Sequence, residues 1–335
     1  MANNTLRSAL FTLTVIAISF VVLYVGWINL ITMRIQGLHN RTEWTVIRSR
    51  MVQQPNDEGS IESMNLKRLA TIRDFCRRNN KTNESLQDIS KLNIIVNEEY
   101  KILFCYIPKI ACTQWKSVMA SLYGPQLRYP GIHDARNFNF LSNYPADEVK
   151  RMLKTYFKFV FVREPFERLL SAYLDKFLRG EPAFHHNYGK RIITLYRPGG
   201  NPEDKNVKFD EYLNYVLHIG DGYWNEHWQT YNNLCQPCGI SYDFIGHFEN
   251  LEEEAQYALE ISGVTKKANV SFPSVKPSLT SSQVPFFYKQ IHKERLYGTM
   301  QLFGPDSEMF GYDLPKSFYK IISELSQQNR TNDDP

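Results

Sequence analysis

Two short segments of the sequence combine a cation with a hydroxyl near the start of a predicted helix. Lys109 and Thr113 lie in "PKIACT", and Arg163 and Ser171 lie in "FVREPFERLLSAYLDKF". A helix N-terminus carries unpaired amides and a partial positive charge, so a cation and a hydroxyl beside it form a binding site for a phosphate group. The repetition of this combination predicts one ligand with two separated anionic groups.

Ordinary structural roles are the alternative for both cations. Lys109 by itself could be an exposed loop lysine, and Arg163 could pair with Glu164 or Glu167, which contributes little stability at a surface. A nucleotide kinase would need a glycine-rich loop and Mg²⁺ ligands, and neither pattern is visible. A membrane-tethered glycan-binding module would not account for two matched segments. We therefore expect a ligand with two anionic groups and no metal.

The elements that must position these residues are a pair of strand-to-helix junctions. The apolar runs "KILFCYI" and "YFKFVFV" each precede a segment with one apolar helical face, and Pro165 suits a first helical turn. Apolar runs without alternation indicate strands covered on both faces. We predict an α/β fold, with a central parallel sheet flanked by helices and a P-loop-like strand-loop-helix. Ligands of such sheets bind at the carboxyl ends of the strands, where both segments lie.

A membrane anchor is predicted at the N-terminus. Residues 9–33 contain no charged side chain, are long enough to cross a bilayer, and lack the features of a cleaved signal peptide. Large domains translocate regardless of charge, so we expect a cytoplasmic tail at residues 1–8 and a luminal body. The body divides into a polar stem at 34–94, a catalytic domain at 95–320 and a C-terminal tail at 321–335.

Cysteines and glycosylation sequons indicate the secretory pathway. The five cysteines are Cys76, Cys105, Cys112, Cys235 and Cys238, an odd number that leaves at least one thiol outside internal pairs. The CxxC in "LCQPCG" has no second half for zinc and no thioredoxin-like frame, which favours a structural disulfide or two free thiols. Sequons for N-glycosylation begin at Asn40, Asn80, Asn83, Asn269 and Asn329.

Three blocks of the sequence carry a family resemblance. "YIPKIACTQWKSVM" resembles the 5'-phosphosulfate-binding loop of Golgi carbohydrate sulfotransferases, and "FVREPFERLLSAYLDKF" resembles their 3'-phosphate-binding segment. "NEHWQTYNNLCQPCGISYDFIGHFENLEEE" is similar to a later block of the branch with the chondroitin and dermatan 4-O-sulfotransferases, the GalNAc 4-O-sulfotransferases and the natural killer epitope sulfotransferase. The resemblance covers about residues 95–315, but Gln114 replaces the usual Asn and "PSVKPSLTSSQVPFFYKQI" matches only loosely.

The resemblance implies a donor and the residues that bind it. It implies 3'-phosphoadenosine 5'-phosphosulfate as the donor and a Golgi enzyme, and we expect neither a metal nor a nucleic acid to take part. The residues assigned to the 5'-phosphosulfate are Pro108, Lys109, Ile110, Ala111, Cys112, Thr113, Gln114 and Trp115. Lys109 is placed near the bridging oxygen, and Arg163 and Ser171 are assigned to the 3'-phosphate.

The acceptor hydroxyl needs a general base, because its pKa is far above 7. His133 lies between the two nucleotide motifs, where this group and the uronyl 2-O-sulfotransferases carry a functional histidine. His227 is the alternative base. It is flanked by Trp224 and Trp228, which could stack on a sugar ring, but it could equally be a core histidine or a contact to the acceptor.

The charge distribution bears on the acceptor. Residues 150–200 contain eleven Lys or Arg and four Asp or Glu, although the net charge of the chain is only +4. Lys176, Arg179, Lys190, Arg191 and Arg197 could form a groove for a polyanionic glycan, or simply a solvated face. We predict transfer to O4 of GalNAc in chondroitin or dermatan. The alternatives are terminal GalNAc O4 or glucuronic acid O3 on glycoproteins or glycolipids.

Overall fold

A computed structural model of the protein describes residues 59–82, 86, 88–124, 127–219, 225–315 and 318–319. The predicted anchor at 9–33, both predicted tails, Trp224, and the sequons at Asn40, Asn83 and Asn329 lie outside these residues. Within the described ranges, no helix is both long enough and apolar enough to span a bilayer. The described residues from Ser63 onward belong to one compact unit.

A central sheet lies between helices, as the sequence predicts. Its strands in the described part of the chain are β1 (Ile94–Asn97), β2 (Ile102–Cys105), β3 (Asn139–Phe140), β4 (Phe157–Val162) and β5 (Phe244–His247), in the order β3-β1-β2-β4-β5. All residues of β2 and β4 are buried, which confirms that these strands are covered on both faces.

The direction of the strands corrects one expectation. β2, β4 and β5 are parallel, but β1 pairs antiparallel with both β2 and β3, so the sheet is mixed. Residues 98–101 join β1 to β2 by a tight turn, and a parallel pair would need a long crossover instead. The two strands that precede the cation-hydroxyl segments are adjacent and parallel, with Cys105 opposite Val160, so their loops leave the same edge of the sheet.

The helices connect and cover these strands. Their bounds are α1 (Ile61–Arg78), α2 (Cys112–Ser121), α3 (Ala146–Thr155), α4 (Pro165–Tyr173), α5 (Pro182–Phe184), α6 (Lys190–Tyr196), α7 (Phe209–His218), α8 (Tyr231–Cys235), α9 (Leu251–Ile261), α10 (Thr280–Tyr288) and α11 (Lys293–Phe310). Two π-helical turns, Leu174–Leu178 and His185–Gly189, extend α4 and α5.

The start of α4 illustrates how local sequence sets a boundary. Pro165 occupies the first turn, and the Glu164 carboxylate accepts hydrogen bonds from the amides of Phe166 at 3.1 Å and Glu167 at 2.6 Å. These contacts satisfy amides that have no partner within the helix. The apolar face predicted for this helix, Leu169, Leu170, Tyr173 and Phe177, is buried.

Two disulfides settle the cysteine pairing. Cys76 bonds to Cys238 and Cys105 bonds to Cys235, whereas Cys112 is a free thiol. Cys235 and Cys238 of the CxxC do not bond to each other. Each bonds to a cysteine at least 130 residues away, so the turn that contains them is linked to two distant parts of the chain.

Helix α1 belongs to the compact unit, although the sequence places it in the stem. Arg68 makes hydrogen bonds of 2.6 and 2.8 Å to the buried Glu254 carboxylate, and Cys76 is covalently bound to Cys238. An unpaired Glu254 would be costly to bury, so α1 is needed to neutralise it. Within the stem predicted at 34–94, this helix is therefore attached to β5 and α9.

Candidate functional site

The loop between β2 and α2 has an unusual backbone. Lys109 and Ala111 have φ angles of 74° and 50°, in the left-handed region that normally favours glycine. Alternation of left- and right-handed residues turns successive amides toward one point and creates an anion-binding concavity. Lys109 and Ala111 thus adopt backbone conformations of the kind that glycines adopt in Walker A loops.

Ala111 allows a test of this backbone geometry. Because a left-handed alanine is strained by about 1–2 kcal/mol, and glycine adds unfolded-state entropy of about 0.4–1 kcal/mol, Ala111→Gly should raise the free energy of unfolding by about 0.5–1 kcal/mol. Ala70→Gly on the exposed face of α1 should lower it by about 1 kcal/mol. Urea denaturation of both variants measures the two effects. Equal destabilisation by both substitutions would contradict the strained loop.

Lys109 is held by a carboxylate that the sequence did not single out. Its Nζ donates to Asp175 Oδ2 at 2.9 Å, and Asp175 lies in the π-helical turn after α4. Lys176 and Arg179 also approach Asp175, at 3.4 and 3.6 Å. Burial raises the pKa of Asp175, but the Lys109 hydrogen bond and the charges of Lys109 and Lys176 outweigh it, so the pKa lies below its ordinary value. A cation cluster thus surrounds one anion beside the loop.

Arg163 joins the two loops. Its side chain is 2% exposed, and its Nη1 donates to the Lys109 carbonyl at 3.1 Å. Its Nη2 donates to Glu167 and, at 2.7 Å, to Ser278 Oγ, while Phe248 covers the guanidinium at 4.3 Å. Of the two glutamates considered as structural partners, Glu167 makes the ion pair.

The remaining residues assigned to the nucleotide differ in their accessibility. Ser171 is half-buried on α4, and the hydrogen bonds of the Arg163 guanidinium go elsewhere. Ile110 and Trp115 bury their side chains, and Trp115 packs on Phe159 at a ring distance of 5.0 Å, so only their backbones could contact a ligand. Cys112 and Gln114 are half-buried, and Thr113 is exposed.

His133 lies at the N-terminus of α2. Its Nε2 is 3.1 Å from Thr113 Oγ1, although 20 residues separate the two in sequence. Desolvation lowers the pKa of His133, the charges of Lys116 and Lys176 lower it further, and Glu226 raises it. His133 is therefore a neutral, exposed imidazole beside the loop that contains Lys109.

His227 is the second neutral imidazole of this region. Its Nδ1 is 2.8 Å from Asn225 Oδ1, and because an amide oxygen only accepts, Nδ1 is the donor. The ring packs edge-to-face on Phe184 at 5.1 Å. Burial lowers the pKa of His227 to about 3, assisted by the charges of Lys176, Lys109 and Arg168. The charge of Lys176 thus acts on both candidate bases.

The surroundings of Trp228 and of the cations in the predicted basic groove differ from those that the predicted roles require. Trp228 is 2% exposed and packs against Tyr188 and Tyr212 at ring distances of 5.0 and 5.8 Å, so its ring faces the core instead of a sugar. The cations of the groove lie near carboxylates: Lys176–Glu181 at 2.7 Å, Lys190–Glu203 at 2.7 Å and Arg197–Glu211 at 2.6 Å. Arg179 and Arg191 are exposed.

Sequence reasoning missed two residues of the site, Asp175 and Ser278, and did not identify the carbonyls that Arg168 binds. Asp175 lies in the quoted Arg163 segment, and its place four residues after Ser171 was the available signal. Arg168 donates to the carbonyls of Pro108, Gln229 and Glu226 at 3.1, 2.6 and 2.8 Å, so it binds the Lys109 loop to the segment of His227. Ser278 lies in the stretch that matched the family loosely and had no signal.

The sequence of this chain is similar to those of known sulfotransferases. A family described as the sulfotransferase family matches residues 92–313, which include all five strands and both loops. Carbohydrate sulfotransferase 14 of Danio rerio is 38% identical over 266 residues, 74% of this chain and 71% of the relative. Carbohydrate sulfotransferase 10 of Homo sapiens is 36% identical over 275 residues (75% and 76%), and carbohydrate sulfotransferase 11 of Mus musculus is 34% identical over 264 residues (73% and 74%). No solved structure matches the chain.

Proposed function

The chain belongs to the sulfotransferase family and is an enzyme of that class, and from this premise we propose that it transfers a sulfuryl group from 3'-phosphoadenosine 5'-phosphosulfate to a glycan hydroxyl. The observation that carries the proposal is the hydrogen bond from Arg163 Nη1 to the Lys109 carbonyl, because it brings two cationic loops together at one sheet edge. A nucleotide with anionic groups at its 3' and 5' positions matches these two loops.

Lys109 supports the departure of the nucleotide. When the S–O bond to the 5'-phosphate breaks, negative charge develops on the phosphate oxygen, and a fixed cation and helix amides stabilise that charge. Lys109 supplies the cation, and the first amides of α2 supply the dipole. The products are adenosine 3',5'-bisphosphate and a sulfate ester, and the proton of the acceptor hydroxyl must be removed.

His133 is the proposed acceptor of that proton. It is exposed, and its neutral Nε2 already contacts a hydroxyl group, that of Thr113, at 3.1 Å. His227 remains the alternative, because its Nδ1 donates to Asn225 and its Nε2 is therefore the basic nitrogen.

The choice between the two histidines has a measurable consequence. His133→Ala should lower kcat by about 10²- to 10⁴-fold and leave the affinity for adenosine 3',5'-bisphosphate unchanged. The base must be neutral, so the wild-type rate falls as pH decreases through the pKa of His133. Because that pKa is lowered, the acid limb of the kcat profile should lie below about pH 6.5, the ordinary histidine value. His218→Ala, at an exposed position on α7, is the control. Loss of turnover in His227→Ala alone would reverse the assignment.

For the acceptor, we propose O4 of GalNAc in chondroitin or dermatan, supported by the cation cluster around Asp175 and by the exposed Arg179 and Arg191. The pairing of Lys190 and Arg197 with carboxylates favours a second candidate, a less charged glycoprotein or glycolipid glycan with terminal GalNAc or glucuronic acid. Labelled donor, a panel of both acceptor classes, and digestion to disaccharides would distinguish them. Transfer to no acceptor in the panel would refute the proposed reaction.

We also propose that the enzyme is a Golgi membrane protein with its catalytic domain in the lumen. Two disulfides and the exposed sequon residues Asn80 and Asn269 support an oxidising compartment that contains glycosyltransferases. Expression of the full chain in animal cells, with and without glycosidase treatment, tests it. An unchanged mass after deglycosylation would count against luminal exposure.

A further inference from the structure

The segment between α9 and α10 brings residues from far along the chain to Arg163. Phe272 packs on Trp115 at a ring distance of 4.8 Å, and Ser274 donates to Glu252 at 2.8 Å. Ser278 then accepts the 2.7 Å hydrogen bond from Arg163 Nη2, across 115 residues of sequence. The segment thus returns to the carboxyl edge of the sheet and ends at the buried arginine.

Helix α10 begins at the same place. Ser278 Oγ accepts from the Thr280 amide at 3.3 Å and donates to Thr280 Oγ1 at 3.1 Å. Thr280 is 8% exposed, and within the described residues its hydroxyl donates to no partner. Tyr288, at the other end of this helix, donates to the Phe166 carbonyl at 2.9 Å and so fixes α10 against α4. The positive end of the α10 dipole therefore lies beside Arg163.

Arg163 provides an independent indication of a ligand. Its guanidinium is buried, yet its Nε has no hydrogen-bond acceptor within the part of the chain that the structure describes. Nε lies on the same edge of the guanidinium as Nη2, which donates to Glu167 and Ser278, so a phosphate oxygen bound at Nε would lie beside Ser278. Glu167 offsets part of the arginine charge, so an anion at this edge needs further donors. The Ser278 and Thr280 hydroxyls and the start of α10 are those donors.

We infer that Ser278 and Thr280 bind the 3'-phosphate of the nucleotide together with Arg163. This inference rests on the proposed function and adds to it. A segment more than 100 residues beyond Arg163 then determines whether the enzyme distinguishes a 3'-phosphorylated nucleotide from a 5'-monophosphate.

Calorimetric titration of the full chain in detergent, with adenosine 3',5'-bisphosphate and with adenosine 5'-monophosphate, tests the inference. Loss of a hydrogen bond to a charged group should weaken binding of the bisphosphate by roughly 10- to 100-fold in Ser278→Ala and in Thr280→Val. Binding of the monophosphate should not change in either variant. Ser282→Ala, an exposed serine on α10 that donates to the Leu279 carbonyl, is the matched control.

The two variants separate ligand contact from an indirect effect. Ser278 also holds Arg163, and Thr280 reaches Arg163 only through Ser278, so a further loss of bisphosphate affinity when Thr280→Val is added to Ser278→Ala reports contact of Thr280 with the ligand. Wild-type bisphosphate affinity in both variants, or an equal loss for both nucleotides, would overturn the inference. If the wild-type protein itself shows no preference for the bisphosphate, the proposed function fails instead.

Discussion

Replacement of Lys109 by alanine is expected to lower kcat for sulfuryl transfer by about 10²- to 10³-fold, the range measured when one preorganised charge-stabilising group is removed from an active site. Lys109 lies at the left-handed turn before α2, and Asp175 holds its ammonium group at 2.9 Å. The cation is therefore in place before the reaction begins. An alanine already adopts the left-handed backbone at position 111, so the Lys109→Ala variant should keep the fold.

Steady-state kinetics with varied donor distinguish the expected loss from weak binding. A transition-state role lowers kcat and kcat/KM together, whereas a role confined to donor binding raises KM alone. Lys109→Arg keeps the charge and should recover part of the activity. Lys150→Ala serves as the control, because Lys150 is 80% exposed on α3 and belongs to neither loop. A Lys109→Ala enzyme that keeps more than about a tenth of the wild-type kcat would remove Lys109 from the mechanism.

Substitution of Arg168 by leucine should have the largest effect on stability. Arg168 is 2% exposed and donates to three carbonyls, those of Pro108, Gln229 and Glu226. Leucine removes a buried charge, which lessens the cost, but it leaves three acceptors unsatisfied at about 1–3 kcal/mol each. We expect the free energy of unfolding to fall by about 3–5 kcal/mol, a decrease in Tm on the order of 10 °C for a domain of this size.

Thermal and urea unfolding with the disulfides intact measure this loss. Arg151→Leu is the matched control. Arg151 is 47% exposed, pairs with Glu148 one helical turn away and lies over the Tyr156 ring at 5.5 Å, so its loss should change stability by less than about 1 kcal/mol. Equal effects of the two substitutions would mean that the three carbonyls find other donors. The Arg168 contacts join the loop of Lys109 to the segment of His227. We therefore also expect the leucine variant to lose nucleotide binding at temperatures near its unfolding transition.

Arg163 and Arg168 therefore have different roles in the site. The Nε of Arg163 is available to bind an anion, because it has no acceptor among the described residues. Arg168, five residues later, uses its donors on backbone carbonyls and holds the loops together. Exchange of either arginine for lysine removes the planar fork of donors, so neither change is conservative.

Elements that depend on neighbours along the chain were predictable from the amino-acid sequence. The buried runs of β2 and β4 follow from their unbroken apolar residues, and the start of α4 follows from Glu164 and Pro165. The placement of both cationic loops at one sheet edge followed from these elements, because parallel strands share their carboxyl edge. The family resemblance rested on the same contiguous blocks.

Contacts between residues that are distant in the sequence became known from the three-dimensional structure. The antiparallel direction of β1, the pairing of each CxxC cysteine with a partner at least 130 residues away, and the burial of Trp228 depend on contacts that no local pattern encodes. The π-helical turn that brings Asp175 to Lys109 and the contact of Ser278 with Arg163 are of the same kind. Hydrophobic periodicity reports which face of an element is buried, but the partner of a buried charge is set by packing of the whole sheet and its helices.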